Sequence, residues 1–200
     1  LNLAKQRADS GRFYIPMSDV NCENEVLQKL LSDEIIQYDK NYGGYFITHD
    51  VYEEWALEKI IEIEFNKSCN NKEFFNNIGS SYPIRRAFRN WLSEKLFQNG
   101  QRIKTFIEEV IIDDSLERYW KDETLISVLL SDYSKTFFEI FEKKLLTDNF
   151  ELFKRIIFLI RTACKDVDED ILRSLDVNNR DAWEIEYVFT KPKGNGWETL

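Results

Sequence analysis

Two hundred residues, 43% hydrophobic and 14% aromatic, can bury one sizeable core or two small ones, which excludes disorder for most of the chain. The net charge of −9 disfavours a reader of duplex DNA, whose affinity depends on neutralising phosphates. No uncharged apolar run approaches the roughly 18–20 residues of a membrane span, and no basic segment followed by an apolar one opens the chain, so neither membrane insertion nor export is expected.

Cys22, Cys69 and Cys164 are odd in number and widely spaced, which predicts reduced thiols in a cytoplasmic protein and no zinc site. Leu1 in first place and a helix start just before Leu200 predict a piece of a longer polypeptide.

In chain order, Val26, Leu27, Leu30 and Leu31 recur at helical spacing and predict a short helix over 23–31. Two β-prone runs follow, Ile35-Ile36-Gln37-Tyr38-Asp39 and Tyr45-Phe46-Ile47-Thr48, around a turn that contains Gly43-Gly44, and these predict a hairpin. An amphipathic helix comes next, with Tyr52, Trp55, Ala56, Ile60 and Ile63 as its apolar face. Helix, hairpin and helix in this order predict a winged-helix module with a two-stranded wing over 1–65, completed by the stretch around Phe13-Tyr14-Ile15-Pro16. The same order occurs in many α+β folds.

Residues 66–200 read as mainly α. Pro83 stands in the first turn of a helix that buries Ile84, Ala87, Phe88, Trp91, Leu92 and Leu96 and stops at Asn99-Gly100. Further helices are predicted at 101–112, 116–131, 133–146 and 149–165, with short polar breaks that favour stacked antiparallel, α-solenoid-like neighbours. No strand is expected until the run 183–190, and 191–197 reads as a loop; the aromatic residues of this tail are equally read as packing that needs a missing partner.

Charge is uneven. Residues 1–65 hold thirteen Asp/Glu against six Lys/Arg, whereas residues 66–106 hold eight Lys/Arg against two Glu. Within the basic stretch, Arg85, Arg86 and Arg89 share one side of a helix and are candidates to grip carboxylates or phosphates of a partner; an ordinary solvated face with intrachain ion pairs gives the same pattern.

His49, the single histidine, lies where the hairpin ends and a helix begins. Asp50 as N-cap with Glu53 three residues on has capping-box spacing, which places the imidazole at a helix N-terminus. Backbone N–H groups and the helix dipole favour a phosphate there. A partly buried histidine bonded to a carbonyl is the plainer alternative. No Gly-x-x-x-x-Gly-Lys-Ser/Thr sequence occurs, and the pairs Asp113-Asp114 and Glu108-Glu109 read as solvated helix ends, so no catalysis is expected of this segment.

Tyr45-Phe46-Ile47-Thr48-His49-Asp50-Val51-Tyr52-Glu53-Glu54-Trp55-Ala56 resembles the end of the winged-helix domain of STAND-type NTPases, signal-transduction ATPases whose relatives include NACHT proteins and bacterial antiviral members. In that family an apolar residue, His and Asp follow the second wing strand; His49 and Asp50 match, and Thr48 departs from the apolar residue. Ser80–Leu92 is similar to the helical segment that follows in bacterial members. The resemblance implies that His49 contacts the β-phosphate of ADP held by an ATPase domain of the same polypeptide, that Asp50 organises the turn, and that the helices begin a sensor region. It implies exchange of ADP for ATP and oligomerisation when a ligand such as a phage protein is sensed. A non-enzymatic winged-helix and helical scaffold for protein partners is the competing expectation, and DNA binding is the weakest because the wing and recognition helix are acidic.

Overall fold

The computed structural model describes residues 1–98, 100–174 and 189–200, which are mainly helical with two small antiparallel sheets among them. The chain forms two compact units, Leu1–Trp91 and Leu92–Leu200. The expected boundary after residue 65 falls inside the third helix of the first unit.

The first unit opens with α1 (Asn2–Ser10), which was not anticipated because only Ala4 and Ala8 are buried on an otherwise polar helix. Then come β1 (Ile15–Pro16), a 3₁₀ turn, α2 (Asn24–Ser32), β2 (Ile36–Asp39) and β3 (Gly44–Ile47). The strands pair antiparallel in the order β1-β3-β2, with Ile15 and Tyr38 both opposite Tyr45. Ile15, Ile36, Tyr45 and Ile47 are buried, so one sheet face supplies core. Gly44 is required where β1 crosses β3, since a Cβ there would lie 2.8 Å from the carbonyl oxygen of Ile15. The apolar face expected of α2 is only half covered: Leu27, Leu30 and Leu31 are half-buried and Val26 is exposed.

The third helix, α3 (Asp50–Lys67), buries Glu53, Leu57 and Ile61. The face expected from spacing, Tyr52, Trp55, Ala56, Ile60 and Ile63, is not the buried one, and Trp55 is 61% exposed. Apolar residues lie all round this helix, so period alone does not fix its rotation. Two further helices pack against its far end. Residues of α4 (Asn71–Ile78) and α5 (Tyr82–Phe97) join Phe65 in a cluster of Phe74, Phe75, Phe88 and Trp91, with ring centroids 4.9–6.2 Å apart. The Trp91 indole N–H donates to Glu62 Oε2 at 2.6 Å. The missed helix α4 carried a signal: Asn70 accepts from the Glu73 N–H, and the Glu73 carboxylate accepts from the Cys69 N–H, both at 2.9 Å.

In the second unit α6 (Gln101–Ile112), α7 (Arg118–Leu130), α8 (Ser134–Leu145) and α9 (Glu151–Ala163) fall within a few residues of the predicted helices. Helix α6 packs on α7, α7 on both α8 and α9, and α8 on α9. An unexpected strand β4 (Lys165–Val167) follows, then α10 (Glu169–Ser174). Residues 183–188 of the expected strand lie outside the described residues; Thr190 opens β5 (Thr190–Pro192), which pairs antiparallel with β4.

The expected loop at 191–197 is part strand and part the start of a short helix, α11 (Gly196–Thr199), and Trp197 finds its partner within the unit. Its indole N–H donates to the Cys164 carbonyl at 2.6 Å, and the Lys193 N–H donates to the same oxygen at 3.0 Å. Glycine permits this docking: at Gly194, φ is +85° and an added Cβ would lie 2.5 Å from Leu130 Cα. Replacing Gly194 by Ala is therefore expected to destabilise the protein by about 1–3 kcal/mol, read as a lower midpoint in urea unfolding.

Candidate functional site

The turn from β3 into α3 is fixed by Thr48. Its hydroxyl lies 2.6 Å from the Glu34 carbonyl and 3.1 Å from that of Ile35, and its N–H donates to Ile35 at 3.1 Å. A hydroxyl is thus accommodated where the resemblance expects an apolar side chain, because two carbonyls at the start of β2 face it. Glu34 itself has φ 56°, a left-handed turn that presents its carbonyl to Thr48.

His49 occupies the N-cap position of α3 in extended conformation, and its carbonyl accepts the Tyr52 N–H at 3.0 Å. The imidazole is exposed, meets the Tyr52 ring edge-on at 5.6 Å between centroids, and makes no hydrogen bond among the described residues. It is therefore not the carbonyl-bonded, partly buried histidine of the plainer alternative.

The capping box is not formed. Asp50 is the first helical residue, no side chain caps the helix start, and Glu53 turns inward to Arg7 of α1. Arg7 Nη1 lies 3.2 Å from Glu53 Oε2, Nη2 lies 3.8 Å from Asp50 Oδ1, and the guanidinium sits 4.7 Å above the Phe13 ring. A half-buried guanidinium is a stronger partner for a buried carboxylate than a terminal backbone N–H, which is why spacing misled here. No local pattern pairs Arg7 with residues more than forty positions away.

Burial is the main cause that raises the Glu53 carboxyl above its usual value; Arg7 opposes it, and Asp50 and Glu54 reinforce it. Arg86 Nη2 reaches Glu54 at 2.6 Å and is exposed, while Arg85 and Arg89 are half-buried and engaged within the protein. The three arginines are therefore not an open cationic face: the first turn of α3 carries Asp50, Glu53 and Glu54, with Arg7 and Arg86 set against them.

Among the described residues no group of three or more His, Cys, Asp or Glu is placed to hold a metal ion, and the three cysteines are free thiols. No helix among them is long and apolar enough to cross a membrane. The chain is thus of mainly α class with small antiparallel sheets. No protein-family model matches it, and no curated protein does.

Two outcomes follow from this geometry. Thr48→Val should cost about 1 kcal/mol in urea unfolding, because the Glu34 carbonyl loses its donor. Native Glu53 keeps its proton to higher pH than the unfolded chain, so it favours folding at acid pH and loses that contribution as pH rises through its native pKa. Wild type should therefore gain stability relative to Glu53→Gln as pH is lowered from neutral towards 4.5, measured by denaturation at stepped pH.

Proposed function

We propose that this chain is a regulatory segment of a bacterial STAND-type NTPase, acting in the cytoplasm, in which residues 1–65 form a winged-helix module that holds the ADP-bound resting state. The single observation that carries the reading is the His49 imidazole, exposed and without a hydrogen bond among the described residues, at the start of the eighteen-residue α3, where no side chain caps the helix. An imidazole so placed adds a donor to a helix N-terminus suited to phosphate. The sheet order β1-β3-β2, with α2 before the hairpin, supports the winged-helix reading.

The nucleotide, ADP or ATP, would be held by the NTPase domain of the same polypeptide, with His49 reaching the β-phosphate and Thr48 and Asp50 fixing the turn. Residues 66–200 begin an α-solenoid-like sensor. A sensed ligand, such as a phage protein, favours an open state in which the contact between His49 and phosphate is lost, ADP leaves, ATP enters and the parent oligomerises. No catalytic residue is assigned within this segment.

A second reading, a non-enzymatic winged-helix and helical scaffold for protein partners, is favoured by one observation. Thr48 and Asp50 already have structural work, the one bonded to the Glu34 carbonyl and the other beside Arg7.

The deciding measurement is ADP affinity of the full-length parent with His49→Ala. A loss of about tenfold or more, ~1.4 kcal/mol, is expected. Unchanged ADP retention by a folded variant overturns the nucleotide role and leaves the scaffold.

A further inference from the structure

The second unit contains a half-open cleft of about 510 Å3 between α7 and α9, closed at one end by the turn after α6 and at the other by the end of α8. Its apolar lining comes from Ile111, Leu116 and Leu125, all buried, and from half-buried Leu152. One wall is held rigidly by Arg155, whose guanidinium grips Asp122 with two nitrogens and lies 4.7 Å above the Phe158 ring.

The charges that line this cleft are equal in number but not in placement. Asp122 is spent on Arg155. The other acids, Asp114, Asp148 and Glu151, are exposed, where water screens them, and Glu151 also sits in the first turn of α9. Lys121 and Lys144 are half-buried. Among the described residues Lys121 pairs only with the fully exposed Asp114, at 3.1 Å, and Lys144 and the exposed Arg118 make no ion pair. Apart from the Asp122–Arg155 pair, the half-buried charges of the lining are thus the two lysines, while Arg118 and the three remaining carboxylates are exposed, in a chain whose net charge is −9.

Asp148 of the lining opens a run of three consecutive residues, Asp148, Asn149 and Phe150, with φ of 49°, 56° and 59°. Phenylalanine gains nothing from that conformation, yet here it is held in it with the residue 45% exposed. Leu146, 63% exposed, precedes the same turn.

We propose that this cleft binds an extended segment of a protein partner in which an acidic side chain is flanked by aliphatic or aromatic ones. The carboxylate meets Lys121 and Lys144, and its neighbours lie on the apolar floor of Ile111, Leu116, Leu125 and Leu152. Charge complementarity with Lys121 and Lys144 selects the acidic group, and the half-open shape suits a chain passing across it better than a small molecule enclosed within it.

The test is selection of random dodecapeptides on the immobilised full chain, followed by fluorescence anisotropy of the selected, labelled peptide. Enriched sequences with Asp or Glu beside Leu, Ile or Phe are expected. Affinity should fall about tenfold or more in Lys121→Glu/Lys144→Glu, and should weaken as salt is raised. Should that variant unfold, Lys121→Gln and Lys144→Gln separately should each lower affinity severalfold with an unchanged melting curve. Selected peptides without acidic residues, no selected peptide, or equal binding by the folded variants overturns the assignment, as does competition by a simple aliphatic acid such as octanoate at micromolar concentration, which would mark a small-molecule pocket instead.

Discussion

The contact between Glu53 and Arg7 ties α3 to α1 and fixes which side of α3 faces the core. A carboxylate that is only 8% exposed in the first turn of a helix must be paired or protonated, and Arg7 from α1 is the cation within reach. Once Glu53 faces inward, Leu57 and Ile61 follow it at four-residue spacing, and the rotation of α3 about its axis is set. Val51 and Trp55 are then turned to solvent, and His49 stands at a helix start that no side chain caps. The exposure of the imidazole is thus a consequence of an ion contact one turn away, made by a residue forty-six positions earlier.

This explains which parts of the fold were legible in the sequence. Helix α5 was readable because Ile84, Phe88, Trp91 and Leu92 form one clean apolar stripe against polar remaining sides, and all four are buried. The hairpin was readable because its turn chemistry and β-prone runs agree. Helix α3 was readable as a helix and not in its orientation, because its buried face contains a glutamate and its exposed face a tryptophan. Helix α1 buries two alanines and one arginine stem, which leaves almost no periodic signal, and β1 is two residues long. At the site, the turn and the position of His49 came through from local sequence; Arg7 did not, since long-range ion contacts leave no periodic trace.

The carboxyl-terminal segment illustrates the same limit from the opposite side. Gly194, Asn195 and Gly196 look like a flexible loop by composition, yet small size is what lets the backbone lie against Leu129 and Leu130. With the chain this close, the Asn195 amide reaches Asp132, the Ser134 and Thr199 hydroxyls meet at 3.0 Å, and Trp197 reaches Cys164. Glycine signals both freedom and close approach, and sequence alone does not separate the two.

Electrostatics bear on the proposed nucleotide role of the helix start. Three carboxylates in the first turn of α3 would repel a phosphate if all were free, but Glu53 is drawn inward to Arg7 and Glu54 to Arg86, which leaves Asp50 as the carboxylate facing solvent beside His49. Arg7 lies between Asp50 and Glu53, so its charge offsets both in part. A single imidazole contact worth about tenfold in affinity does not by itself lock a two-state protein; moving an equilibrium from 1:99 to 99:1 takes roughly 10⁴-fold preference. In the proposed resting state His49 would therefore act as one contact among several, and the rest of the preference would have to come from the surfaces that close around the nucleotide. The exposed Val51 and Trp55, on the same first turns of α3 as His49, offer apolar area of the kind such closure would bury.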